Sequence, residues 1–359
     1  MITQQQIALE AKVSRSTVAA VMSKIQRDRI SPEVRERVMK VAEELGYRPN
    51  RHAQVMRGVR SNCIGILSFN AMHLLVQRKL KAATEAILGH GYKWIVEETL
   101  WYNALGERAI SCAIESLIDA RVEGVILNYP SRKFTQEMLN QFLNAGIPVV
   151  VIGGGPQQLK GVPSFISDRR WGYEMITRHL LEGGCRRLTL LAVNTPYCYD
   201  GFHDALVDFP EAAALAEVVR PVVSPSLAAQ FAMEERLFLP GEVGMKEVFR
   251  RGELPDAVVC ANDEWAMGAL SCCFRAGVRV PENLALTGAD NDPAGRFGAV
   301  PITTIEHPVQ EISHQAVHRL VTMIRQDEKP KDELICIRGR LLVRRSCGLA
   351  GSMADLTLS

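Results

Sequence analysis

The stretch Ser14-Arg15-Ser16-Thr17 packs hydroxyl and guanidinium donors of the kind that contact DNA bases and phosphates. Arg15 and Ser16 open a helix, and side chains at such a start reach base edges in a major groove about 12 Å wide. Arginine favours guanine, whereas serine is permissive. A phosphate contact alone is the competing reading of Arg15; the frequency with which helix-turn-helix proteins read bases at this point favours the base. Ser14 and Thr17 either touch phosphate or cap the helix. Far along the chain, Asp290 lies just past a strand end, where a carboxylate can accept hydroxyl or N–H hydrogen bonds from a ligand. Asn262 also ends a strand, although an Asp followed by Asn, as at 290–291, is equally a turn former.

Catalytic and metal chemistry find less support. Gly153-Gly154-Gly155 lacks the spacing of a phosphate loop and runs straight into Pro156, which makes it a turn. No H-E-x-x-H, C-x-x-C or G-x-S-x-G occurs. Cys272 and Cys273 are adjacent on a helix and cannot both face one metal, so they read as core thiols. The expectation is a protein that is not an enzyme and uses no cofactor and no metal.

The elements that must position these residues are readable. Thr3 with Gln6 makes a capping box for a first helix through Ala11. Ser14 caps a second over 15–22 after a break of only Lys12 and Val13. Ser31-Pro32-Glu33 starts a third, with Val34, Val38, Val41 and Leu45 on one face and Gly46 at its end. Two helices joined by so tight a turn, with a third completing the core, form a helix-turn-helix arrangement. From Asn62 the texture changes. Strands are expected over 63–69, 92–96, 122–127 and 147–152, with helices over 75–89, 107–119 and 135–143. A second run begins near Phe165: helix 173–181, strand 188–193, helix 201–207, strand 257–261, helix 266–276 and strand 285–289. The fold class is therefore an all-α helix-turn-helix head joined to an α/β body of two Rossmann-like subdomains. The cleft between them, beyond the carboxyl ends of the strands, is the default small-molecule site.

Charge separates head from body. Residues 1–60 hold 12 Lys/Arg against six acids, while the whole 359-residue chain carries only +2. A basic head on a mildly acidic body suits a phosphate-binding end, although charge alone fits a solvated helical end equally well. No apolar run is long enough to span a membrane, and the first residues lack the pattern of an export signal. Nine scattered cysteines suit buried thiols in a reducing compartment. The expected location is cytoplasmic, associated with the nucleoid.

The chain resembles the LacI/GalR repressor family over about 340 residues. The head does so through Val13-Ser14-Arg15-Ser16-Thr17-Val18, Ser31-Pro32-Glu33-Val34-Arg35-Glu36-Arg37-Val38 and Glu44-Leu45-Gly46-Tyr47-Arg48-Pro49-Asn50-Arg51-His52-Ala53. The body does so through Pro255-Asp256-Ala257-Val258-Val259-Cys260-Ala261-Asn262-Asp263-Glu264, Ala276-Gly277-Val278-Arg279-Val280-Pro281-Glu282, Gly288-Ala289-Asp290-Asn291 and Ile302-Thr303-Thr304-Ile305. Several positions depart from the family pattern. Lys12 stands where a turn glycine is usual. Ala19-Ala20 replaces Ser-Arg, and the link 23–30 is two residues longer than is common. Cys198 replaces an arginine of the ligand pocket, and Gly153 a polar residue.

The resemblance implies a periplasmic-binding-protein-like body and a homodimer on a pseudo-palindromic operator in double-stranded DNA. It implies a hinge helix over 50–59 that orders on DNA, with Asn50, Arg51, Ala53 and Arg57 at the duplex and Met56 as the minor-groove wedge. It further implies that Asp290 and Asn262 bond a small effector, a sugar or sugar-like carbohydrate. Asp168 falls at a ligand position but is followed by Arg169, so a helix cap is its other reading. Trp171 and Phe238 either stack on the ligand or pack. The domain limits expected are 1–47 (head), 48–61 (hinge), 62–163 with 308–328 (first subdomain), 164–307 with 329–347 (second) and 348–359 (tail). The tail holds at most one apolar heptad, too little for a tetramerising coiled coil. The function expected is a DNA-binding transcriptional regulator, a repressor, whose operator affinity a cleft ligand switches. The alternative is a periplasmic-type sugar-binding protein; an enzyme with a DNA-binding appendage ranks third.

Overall fold

The computed structural model describes residues 2–22, 30–47, 60–69, 72–99, 106–131, 133–153, 159–192, 195–232 and 235–349. The chain divides into two units, Met1–Ser61 and Asn62–Ser359. In the first, α1 (Gln4–Glu10), α2 (Arg15–Met22) and α3 (Pro32–Glu44) enclose a core of Ile7, Ala8, Ala11, Val18, Val21, Val38 and Ala42. The capping box forms: the Gln6 side chain accepts from Thr3 N–H at 2.8 Å, and Thr3 Oγ1 from Gln6 N–H at 3.4 Å. Ser14 Oγ caps α2 by accepting from Thr17 N–H at 3.0 Å. Ser31 stands at the cap position of α3 without a side-chain cap bond; Pro32 takes the first turn, where no N–H needs a partner. The α1–α2 turn places Lys12 at φ 53°, the left-handed conformation that favours glycine.

The second unit holds two six-stranded sheets with corresponding strand orders. The first is ordered β11-β5-β4-β3-β1-β2, where β1 is Cys63–Phe69, β2 Lys93–Thr99, β3 Gly124–Asn128, β4 Val149–Ile152, β5 Pro163–Ser167 and β11 Glu333–Ile337. All its pairings are parallel. The second is ordered β12-β10-β9-β8-β6-β7, with β6 Leu188–Leu191, β7 Glu217–Val219, β8 Ala257–Cys260, β9 Ala285–Ala289, β10 Thr303–Glu306 and β12 Arg340–Leu342. Here β12 alone runs antiparallel. The central strands β1, β3, β4, β6, β8 and β9 are nearly all buried, as parallel strands covered on both faces must be.

The helices follow in chain order as α4 (Leu74–Gly89), α5 (Gly106–Asp119), α6 (Gln136–Asn144), α7 (Arg169–Glu182), α8 (Pro196–Leu206), α9 (Leu239–Arg250), α10 (Asp263–Arg275) and α11 (Val309–Gln326). The long α11 returns to the first sheet, burying Ile312, Ala316, Val317 and Leu320 against Ile64, Ile66, Ile126 and Val150. The chain thus passes between subdomains three times, after β5, after β10 and after β11. Two expected limits need correction. Residues 163–167 and 333–337 belong to the first subdomain, because β5 and β11 pair with one another, with Phe165 opposite Ile335, and β5 joins β4. The first limit therefore falls after Ser167 rather than after 163, and the last after Ile337 rather than after 328.

Candidate functional site

On the head, Arg15 and Ser16 are exposed on the first turn of α2. Ser14 Oγ lies 2.7 Å from Ser16 Oγ and 2.8 Å from Thr17 Oγ1, so the three hydroxyls form one local network around the cap. Arg15 is left as the long, charged donor at this helix start. Asn50, Arg51, Ala53, Met56 and Arg57 lie outside the described residues.

In the body, the strand ends of both sheets converge. Asp290 follows β9 at φ 102°, a strained backbone for a non-glycine residue. Its carboxylate Oδ1 stands 3.0 Å from His307 Nε2 and 3.4 Å from Arg169 Nη2. Burial works against its charge, but His307, Arg169 and Lys79 together hold the carboxyl well below the usual range. His307, just past β10, faces Ser167 Oγ at 2.6 Å through its other ring nitrogen. Burial depresses its pKa in spite of Asp290. Arg169, the first residue of α7, also donates to Tyr197 Oη at 3.0 Å, and its guanidinium lies 5.3 Å from that ring's centre. Tyr129 follows β3, and Lys79 Nζ from α4 lies 5.2 Å from its ring centre.

Two further contacts cross the cleft. Arg78 of α4 donates to the backbone carbonyls of Asp290 at 2.8 Å and Asn291 at 3.2 Å. His73, ahead of α4, lies 3.0 Å from Glu264 of α10. Burial opposes the charged form of His73, yet the bond to Glu264 prevails and its pKa is raised. A narrow recess, partly open to solvent, is lined here by His73, Arg78, Asp263, Glu264, Asp290 and Asp292. A second, narrower recess is bounded by Arg169, Tyr173, Ala289 and His307. Burial pushes the Asp263 carboxyl well up; it accepts from Asp292 N–H at 2.7 Å. Asp263 fits so close to β9 because residue 288 is glycine: a Cβ there would stand 2.2 Å from Asp263 Oδ1.

Of the four residues expected at the effector, Asp290 alone has its side chain within the charged cluster. Asn262 caps α10, accepting from Trp265 N–H at 2.8 Å, and donates to Glu264 at 3.1 Å, so it buttresses the His73–Glu264 contact. Asp168 takes its other reading as a cap: it accepts from Trp171 N–H at 3.0 Å and lies 3.5 Å from Arg338. Phe238 sits at the start of α9, where its carbonyl accepts from Gly241 N–H at 3.1 Å, and lines neither described pocket. Its backbone lies close against α10, where a Cβ on Gly268 would stand 2.1 Å from the Phe238 carbonyl. Trp171 lies under Arg338. Cys198 is buried in the second subdomain's core, and Thr195 Oγ1 donates to its thiol at 3.1 Å.

Lys79, Tyr129, Arg169, Tyr197 and His307 were not singled out from the sequence. Lys79 carried a signal: it falls on the apolar face of α4 among Leu75, Val76, Ala82 and Ala83. Tyr129 directly follows a strand, a weaker cue. Among the described residues no cluster of metal-ligating groups occurs, and no helix is long and apolar enough to cross a membrane.

Residues 3–50 match the family of bacterial regulatory proteins, lacI family, and residues 177–347 match a periplasmic binding protein-like domain. The HTH-type transcriptional repressor PurR of Haemophilus influenzae (strain PittEE) is 26% identical over 355 residues, covering 96% of this chain and 98% of that protein. In fold, the chain is similar to the lac repressor dimer bound to operator and the anti-inducer ONPF. The TM-score is 0.77 at 22% identity, over 96% of this chain and 99% of the other. A complex of the transcriptional regulator CelR with cellobiose gives 0.65 at 23% identity, over 96% and 100%.

Proposed function

The chain belongs to the LacI/GalR family of bacterial regulators, and we propose that its Arg15 reads the operator while the Asp290 cluster receives the effector. It is a ligand-responsive DNA-binding repressor that acts as a dimer on operator DNA. The observation that carries the site assignment is the convergence of Asp290, Arg169, His307 and Lys79 at the carboxyl ends of two sheets, where open parallel sheets take their ligands. A carbohydrate-like molecule, as in the CelR–cellobiose complex, suits the hydroxyl-bonding groups there. A ligand shifts the closed–open balance of the body only by its differential affinity for the two forms, and that shift would set operator affinity. We place the protein in the cytoplasm with its DNA, and assign it no catalytic step.

Selection of bound duplexes from a random library by the full chain should return a two-fold symmetric site. Arg15→Ala should then cost about 1–3 kcal/mol on that site and relax preference at one symmetric pair of positions. Equal losses on selected and random DNA would refute base reading by Arg15, and an asymmetric site would refute the dimer geometry.

A further inference from the structure

We propose that the effector carries an anionic group, a phosphate or a carboxylate, held between Lys79 and Arg169. The proposal rests on the reading of the cleft as the effector site and names the ligand's charge. Lys79 is only 3% exposed, although it is the long cation on the buried face of α4. Its Nζ has no hydrogen-bond or ion-pair partner among the described residues. The ammonium reaches the strand ends of the first sheet: it lies 5.2 Å from the Tyr129 ring centre, and a Cβ on Gly153 would stand 2.9 Å from it. The glycine at 153, past β4, thus leaves room for this cation where a side chain would crowd it.

The charges around Lys79 do not balance. Arg169 repels it and Asp290 attracts it. Asp290, however, is already within 3.4 Å of Arg169. Two cations therefore share one carboxylate in a largely water-excluded space, and such an excess is costly unless a counter-charge arrives. Burial accordingly lowers the Lys79 pKa to about 7, with Arg169 acting in the same direction. A neutral sugar offers this ammonium hydroxyl acceptors but no charge. A phosphate or carboxylate supplies both, while Tyr197 and Asp290 already hold Arg169 in place.

The test uses the full chain and calorimetry with inorganic phosphate, glucose 6-phosphate, gluconate and glucose. At least one anionic probe should bind more tightly than glucose; phosphates or gluconate alone would identify the source of the anion. Lys79→Met should weaken that anion by roughly tenfold or more, the loss of a charge-assisted bond. The same substitution removes an uncompensated buried charge, so the melting temperature of the unliganded protein should hold or rise. Gluconate stays ionised throughout, so its affinity should fall above pH 7 as Lys79 loses its proton. The groups facing that ammonium are Tyr129, Arg169, Asp290 and His307, and in Lys79→Met the fall should flatten. Glucose bound as well as its anionic counterparts would overturn the proposal. So would anion affinity unchanged in Lys79→Met, or no binding of inorganic phosphate or any other probe at millimolar concentration. Operator selection by the same preparation reports separately: its failure would sink the regulator reading, whereas failure of the anion arm alone leaves that reading standing.

Discussion

Replacing Asp290 by asparagine keeps the shape of the side chain and removes the one negative charge that Arg169 and Lys79 share. Arg169 Nη2 lies 3.4 Å from the carboxylate, and the Asp290 side chain is 19% exposed. At an effective dielectric of about 20, a pair at that separation attracts by about 5 kcal/mol. Desolvation already consumed part of this in the native protein, and asparagine retains an oxygen that can accept from Arg169. Removing one partner of a fully buried pair costs about 3–5 kcal/mol. With the cleft's partial exposure, Asp290→Asn should therefore lose about 2–3 kcal/mol. Urea unfolding of the full chain, followed by tryptophan emission, measures the loss. A cycle with Arg169→Met and the double variant isolates the pair, and the double variant should be much less destabilised than the sum of the singles. Asp290 has a depressed folded pKa, so its contribution is present above the ordinary carboxylate value near 4 and is lost as pH falls below it. The gap between wild type and variant should hold steady from pH 6 to 8 and narrow only under about pH 4. A loss below about 0.5 kcal/mol, or additive single variants, would refute the charge-sharing argument.

Two other outcomes are expected. Lys12→Gly relieves a left-handed backbone at φ 53° and should stabilise the head by about 1 kcal/mol, seen as roughly fivefold slower amide exchange in α1 and α2; unchanged or faster exchange would contradict it. His73, with its raised pKa, ties the first subdomain to Glu264, so that tie is fully present below the unfolded value near 6.5 and fades as pH rises through the folded one. Distances between labels on the two subdomains should accordingly lengthen from pH 6 to 9, and His73→Gln should abolish that dependence; a variant with the wild-type profile would show the contact to be incidental.

The sequence alone determined whatever local chemistry decides. The Thr3–Gln6 box, the Ser14 cap and the apolar face of α3 mark the head, because caps and helical periodicity involve residues a few positions apart. The central strands announce themselves as short apolar runs between glycine-ended helices. Even Asp290 could be placed, since a residue just past such a run lies at the sheet's carboxyl edge. Other features depend on partners far along the chain. β5 opens with Pro163 and carries two serines, so nothing local marks it as a strand; it becomes one by pairing with β11, some 170 positions away. The polar residues divided in the same way. Asn262, Asp168 and Asp290 all stand at the edges of elements, and sequence could not tell which would be consumed by a helix N–H. The first two cap the helices that follow them, whereas Asp290 meets His307 and Arg169 only because tertiary structure brings those elements to it. Lys79 is the sharpest case. Its place on an apolar helix face was visible, but whether such a lysine escapes to solvent or is trapped depends on what covers that face. Here the strand ends that bear Tyr129 and Gly153 close over it, and only their approach turns an anomaly of pattern into a buried positive charge.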